Sequence, residues 1–143
     1  MIHGTECEVS VQRRVINLSG PKSTADLPFS SAIVARGEFV FTSGHVGFNP
    51  ETGEPPTGIE AQTEQALENL KAVLEAAGSS LDQAVKVNVY LTNPDHFEAM
   101  NEVYRRYFPS DRPARSTVVV NLVRPDLLIE IEIVALLPGG AVA

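Results

Sequence analysis

Apolar positions recur along this chain in two rhythms, a period of two and a period of three to four, and the switches between them predict the elements. Arg13 to Leu18 alternates as an edge strand, and Gly20 to Pro28, rich in turn formers, predicts a loop. Two short apolar runs, Ala32–Ala35 and Phe39–Thr42, flank Arg36-Gly37-Glu38 and predict a hairpin turning at Gly37. Asn49-Pro50-Glu51-Thr52-Gly53 and Pro55-Pro56 predict a surface loop, because adjacent prolines cannot donate to a central ladder. Thr57 and Glu60 have the spacing of a capping box. Ala66, Leu67, Leu70, Val73, Leu74 and Ala77 then repeat at three and four, giving one apolar stripe on a helix that Gly78 closes.

The period returns to two in Ala84–Thr92, with Val85, Val87, Val89 and Leu91 set against Lys86, Asn88 and Tyr90. Asn93-Pro94 starts a second helix with Phe97, Met100, Val103, Tyr104 and Tyr107 on its apolar face, and Pro109 ends it. Strands at Ser116–Val123 and Leu127–Leu137 follow, joined by the turn Arg124-Pro125-Asp126. The order is β-β-α-β-α-β-β behind the edge strand. Two helices on one face of a mixed or antiparallel sheet of five to six strands predict an α+β two-layer sandwich.

A length of 143 residues predicts one domain, 1–143, with a variable N-terminal segment at 1–12 and a tail at 138–143. Eleven basic against 18 acidic residues leave a formal charge of −7, which repels a phosphate backbone and predicts no nucleic-acid partner. The single cysteine, Cys7, can form no intrachain disulfide and is a poor candidate nucleophile so near the terminus. No signal-like opening and no membrane-length apolar run is present, so a soluble, cytoplasmic protein is expected.

Two features carry candidate chemistry. In Ile129-Glu130-Ile131-Glu132-Ile133 the isoleucines face one way and the carboxylates the other, about 7 Å apart on one strand face. That face is either solvated or lined by a partner subunit or a cleft. In Pro113-Ala114-Arg115-Ser116 an arginine enters a strand from a proline-stiffened loop. Its guanidinium suits an α-carboxylate, which it can bind through two parallel hydrogen bonds, or it pairs with a surface acid. His3, His45 and His96 lack metal-ligand spacing, and neither a serine-nucleophile motif nor a phosphate loop occurs.

Seven motifs in order complete the picture: Thr42-Ser43-Gly44-His45, Asn49-Pro50-Glu51-Thr52-Gly53, Gln62-x-x-Gln65-x-x-x-Asn69-Leu70, Leu74-Glu75-Ala76-Ala77-Gly78, Asn101-x-x-Tyr104, Pro113-Ala114-Arg115-Ser116 and Ile129-Glu130-Ile131-Glu132. Through them the chain resembles the RidA/YjgF family of reactive-intermediate deaminases. The resemblance implies a chorismate-mutase-like protomer and a homotrimer with a central β-barrel, helices outside and ligand clefts between subunits. It implies that Arg115 clamps a substrate carboxylate, that Glu130 positions or activates water, and that Asn101 and Gly44 line the cleft. Thr117 stands where many members carry cysteine, and Leu27-Pro28-Phe29 replaces a Gly-Pro-Tyr segment, so Phe29 lacks the tyrosine hydroxyl.

The implied activity is hydrolytic deamination of 2-imino or 2-enamino acids, such as 2-aminoacrylate, to 2-oxo acids and ammonium, without metal or organic cofactor. Alternatives are a 2-aminomuconate deaminase of aromatic catabolism and a noncatalytic 2-oxo acid binder. The ribonuclease label attached to some relatives fits poorly with the acidic charge.

Overall fold

The computed structural model describes residues 12–20 and 26–139. Cys7, His3 and the last four tail residues lie outside that range. Seven strands and two helices follow in the order β1 (Arg13–Ile16), β2 (Ala32–Ala35), β3 (Glu38–Phe41), β4 (His45–Val46), α1 (Ile59–Ala76), β5 (Ala84–Leu91), α2 (Phe97–Tyr107), β6 (Ala114–Val119) and β7 (Ile129–Leu137). Short 3-10 turns at Leu81–Gln83 and Pro94–His96 lead into β5 and α2.

Strands β3, β7, β5 and β6 form the main sheet in that order, with β4 also pairing β7, to make five strands. All pairs are antiparallel except β5–β6, so the sheet is mixed. The expected α+β architecture of two helices on a five-stranded sheet is therefore present. Ile129, Ile131 and Ile133 of β7 are at most 1% exposed and pack with Val87, Val89, Leu67, Leu70, Leu74 and Met100. Each such side chain contributes about 1.5–3 kcal/mol by leaving water, so the isoleucine rhythm fixes which face of β7 meets the helices. Glu130, Glu132, Asn88 and Tyr90 consequently lie on the other face.

Three expectations need correction. Ala32–Ala35 and Phe39–Thr42 do not form a hairpin: β2 pairs β1 in a separate two-stranded sheet, and β3 pairs β7. Gly37, at φ 133°, carries the chain from one sheet to the other instead of folding it back. Thr57 does not cap α1, because Gly58 at φ 96° takes the N-cap position without any side-chain hydrogen bond. Gly78 does adopt the left-handed conformation expected after the helix, at φ 90°. The strand expected at Ser116–Val123 begins and ends earlier, as β6, since Ala114 and Arg115 already pair with Lys86 and Val87.

The link between β3 and β4 sets up one candidate residue. Thr42 continues the ladder, its N–H donating to the Ile133 carbonyl at 2.9 Å while its Oγ1 accepts from the Ile133 N–H at 2.9 Å. Gly44 follows immediately before β4, whose Val46 lies opposite Glu130. Asn69 of α1 secures the segment beyond, donating to the Val46 and Phe48 carbonyls at 3.2 and 2.9 Å.

Candidate active site

Arg115 is the second residue of β6 and lies opposite Val87, a core position, so its side chain enters the layer between sheet and helices. Only 8% of the residue is exposed. Three rings surround the guanidinium, with centroids 4.6 Å away for Tyr104, 5.2 Å for Phe29 and 5.8 Å for Phe97. These are cation–π distances, and they keep water from a group that holds its charge at any ordinary pH. Nη1 lies 3.9 Å from the Met100 sulfur, whereas Nε and Nη2 are buried with no hydrogen-bond partner. Burial lowers the Arg115 pKa, partly offset by Tyr104, with the Arg105 charge lowering it further.

Other unpaired polar atoms occur on the same side of the sheet. Asn101 and Tyr104 project from consecutive turns of α2, and Thr117 lies two residues beyond Arg115 on β6. Asn101 Oδ1 and Thr117 Oγ1 are buried without a partner, and the Tyr104 hydroxyl, beside the Arg115 guanidinium, makes no hydrogen bond of full geometry. Burial pushes the Tyr104 hydroxyl well above the usual tyrosine range, the Arg115 charge opposing it. A buried, unpartnered N–H or O–H ordinarily costs about 1–3 kcal/mol, so a concentration of them marks a place built to receive something. An anion with acceptor oxygens matches the two free N–H groups of Arg115.

Gly44 and Glu130 occupy the opposite face. A Cβ built on Gly44 would collide with Glu130 Oε2 and lie 2.7 Å from its Cδ. Only glycine lets the carboxylate rest against the backbone there. Glu130 lies opposite Tyr90, three residues along from the row that holds Arg115 and Val87. Two strand spacings across and three residues along separate the Arg115 and Glu130 Cα atoms by about 14 Å, with the side chains on opposite faces. Within one chain, then, Arg115, Phe29, Asn101 and Thr117 share one side, Gly44 and Glu130 the other.

Sequence reasoning missed two things. Tyr104 and Phe97, on the apolar face of α2, both also flank Arg115, and the Asn101-x-x-Tyr104 spacing of one helical turn is the signal for it in the sequence. Glu132 has its own partners: the Tyr90 hydroxyl donates to its Oε2 at 2.7 Å and Asn88 Nδ2 donates to the same oxygen at 3.0 Å. That bond to Glu132, with burial and the carboxylate charges, raises the Tyr90 pKa. The alternation of Asn88 and Tyr90 with Val87 and Val89 already put both on the glutamate face. Among the described residues, no group of three or more His, Cys, Asp or Glu side chains could hold a metal ion, and no helix is long and apolar enough to cross a membrane.

The family model described as Endoribonuclease L-PSP matches residues 21–137. A RutC family protein of Pyrococcus horikoshii is 50% identical over 109 residues, which are 76% of this chain and 86% of that protein. A 2-iminobutanoate/2-iminopropanoate deaminase of Dermatophagoides farinae is 42% identical over 106 residues, 73% of this chain and 82% of its own. The solved structure of a Rid-family protein of unknown function from Yersinia pestis superposes with a TM-score of 0.77 at 35% identity, over 89% of this chain and all of that one. With family model, relatives and solved fold in agreement, this chain belongs to the Endoribonuclease L-PSP family, the RidA/YjgF group whose motifs it carries.

Proposed function

We propose that this chain hydrolyses 2-imino acids and their 2-enamine tautomers to 2-oxo acids and ammonium, as a homotrimer with its clefts between neighbouring subunits. The observation that carries the reading is the buried Arg115 guanidinium, ringed by three aromatic side chains and left with two N–H groups unpaired. A carboxylate is the ligand such a fork fits best. The deaminase relative supports the same reaction class.

The two-sided geometry favours a shared site. One chain cannot bring Arg115 and Glu130 to one small ligand, whereas a second copy laid on the open face and reaching across the β6 edge can bring its Glu130 to the first copy's Arg115. That face and its edge carry Phe41 at 74%, Val118 at 47% and Val119 at 51% exposure, apolar surface suited to another chain.

In this mechanism Arg115 takes the carboxylate through Nε and Nη2 and fixes the C=N carbon. An enamine first gains a proton from water on its terminal carbon and becomes the iminium. Water beside Glu130 then forms the new C–O bond while Glu130 accepts one of its protons. The proton passes to nitrogen, the C–N bond breaks with its electron pair leaving on ammonia as the new hydroxyl becomes C=O, and the hydroxyl proton is taken up by ammonia, giving a 2-oxo acid and ammonium. Because imines hydrolyse in water unaided, placement and modest proton transfer are sufficient catalysis. No step calls for a metal or organic cofactor. The net charge of −7 weighs against an RNA substrate, despite the family's description. The absent hydroxyl at Phe29 favours one rival, a noncatalytic 2-oxo acid binder using the same arginine.

Coupling an amino acid oxidase to the protein and trapping imine with semicarbazide tests the proposal. Wild type is expected to suppress the semicarbazone and Arg115→Ala to leave it untouched. Suppression by both variants would remove Arg115 from the mechanism. Tight 2-oxobutanoate binding without any suppression would select the noncatalytic reading.

A further inference from the structure

Phe29 reaches Arg115 from a segment with few attachments of its own. Among the described residues, 26–29 pair with no strand, although Pro28 is buried. The nearest ladder-like link is Ser30, whose N–H donates to the Pro113 carbonyl at 3.1 Å beside its bridge to Ala114. A hollow of about 260 Å³, walled by Leu27, Phe29, Ser30, Asp111 and Arg112 among others, lies against the segment, and Arg115 is not among its walls. Among the described residues, the Phe29 ring thus borders a hollow on that side.

Arg112 supplies what packing does not. Its Nε donates to the Phe108 carbonyl at 2.7 Å, Nη2 to the Pro109 carbonyl at 3.3 Å and Nη1 to the Leu27 carbonyl at 3.1 Å. The first two carbonyls terminate α2, and the third belongs to the segment two residues before Phe29. One planar fork thus joins the end of α2 to the loop that carries the ring. Arg105 adds a longer contact from Nη2 to the Asp26 carbonyl at 3.4 Å. Every nitrogen of Arg112 is engaged by a backbone carbonyl, so its part here is geometric.

We propose that Arg112 is a positioning residue that holds Phe29 over the Arg115 guanidinium and thereby sets the affinity of the cleft for a 2-imino or 2-oxo acid. The inference rests on the reading that Arg115 takes the ligand's carboxylate. A ring over the guanidinium keeps water away from the ion pair, and a drier pair is a stronger one. Releasing Phe29 weakens ground-state and transition-state binding alike, which raises KM and leaves kcat nearly unchanged.

Arg112→Lys keeps the charge and removes the three-way fork, and the full-length protein carrying it can be tested in two arms. In the first, without ligand, exchange of the Ser30 amide accelerates about 10-fold or more while the Leu67 and Leu70 amides of α1 keep their protection. In the second, KM for the trapped imine, or Kd for 2-oxobutanoate, rises about 5-fold with kcat within about 2-fold of wild type. In a Phe29→Ala background the same substitution then adds less than about 2-fold, because the two residues act as one unit. An unchanged Ser30 exchange rate, or effects of Arg112→Lys and Phe29→Ala that multiply independently, overturns the proposal. If wild type neither turns over imines nor binds 2-oxobutanoate, the functional reading fails, and the exchange arm still decides whether Arg112 holds the segment.

Discussion

On the helix side of the sheet Arg115 keeps a full charge out of water with two N–H groups unpaired, while on the far side Glu132 is only half-buried and one of its oxygens accepts from both Tyr90 and Asn88. The first arrangement costs stability and the second adds to it. Evolution retains an uncompensated buried charge where something other than folding requires it, so unpaired burial is the better pointer to function than charge or exposure alone. Glu130 sits between these extremes, partly buried and resting against Gly44. In the proposed trimer its role rests on a neighbouring subunit.

Replacing Arg115 by leucine breaks this contrast most sharply. Arg115→Leu is expected to lower imine turnover and 2-oxobutanoate affinity at least about 100-fold, since removing a buried ligand-paired charge costs several kcal/mol of binding. The same change is expected to raise the free energy of unfolding by about 1–3 kcal/mol, because an apolar side chain replaces an unpaired ion in a shell of aromatic rings. Urea titrations beside binding isotherms measure both. Loss of stability together with loss of binding would mean that Arg115 is a structural residue, and the contrast between the faces would collapse.

Gly44→Ala probes the intermediate case. The added methyl must displace the Glu130 carboxylate, which is the far end of a flexible side chain, so stability should change by less than about 1 kcal/mol. Turnover should nevertheless fall about 10- to 100-fold, as expected when a reacting group moves by about 1 Å. Retained turnover, with Glu130 seen displaced, would show that the carboxylate's place is immaterial to the reaction.

These two residues also show where the sequence was legible. The Ile129–Ile133 alternation determined the faces of β7 because each misplaced isoleucine would lose its burial, and Pro113 put Arg115 close to a strand entry, although β6 begins at Ala114, two residues before the expected start. The pairing of β2 was not legible: Gly37 is equally at home in a tight hairpin and in a crossing between sheets, and the partner of β3, β7, lies some ninety residues further along the chain. Gln62, seen only as part of a motif, proves to be a stitch, its amide donating to the Pro56 and Asp126 carbonyls and accepting from the Leu128 N–H at 2.8 Å. Such a role depends on a loop 64 residues beyond Gln62 in the chain, which no local pattern reveals. The separation of Arg115 from Glu130 was likewise hidden, since it follows from register across β5 and not from spacing along the chain.

The smallest effect belongs to the satisfied face. Tyr90→Phe removes the hydroxyl that donates to Glu132 Oε2, and the loss at neutral pH should be about 0.5–1.5 kcal/mol, with imine turnover within about 2-fold of wild type. The pH dependence identifies the bond. Because the carboxylate holds the folded Tyr90 pKa above its ordinary value of about 10, both folded and unfolded chains keep the proton below that pH. Above it the unfolded chain releases the proton first, the folded state binds more protons than the unfolded one, and stability falls as pH rises. The stabilisation from Tyr90 is therefore fully present at pH 7 and is lost as pH climbs through the raised folded pKa. Denaturant midpoints for wild type and Tyr90→Phe should differ by a constant amount up to about pH 9 and converge above about pH 10, the other tyrosines cancelling in the comparison. A gap that stays constant through pH 11 would mean that Tyr90 stabilises the sheet through its ring alone, leaving Asn88 to hold the Glu132 carboxylate.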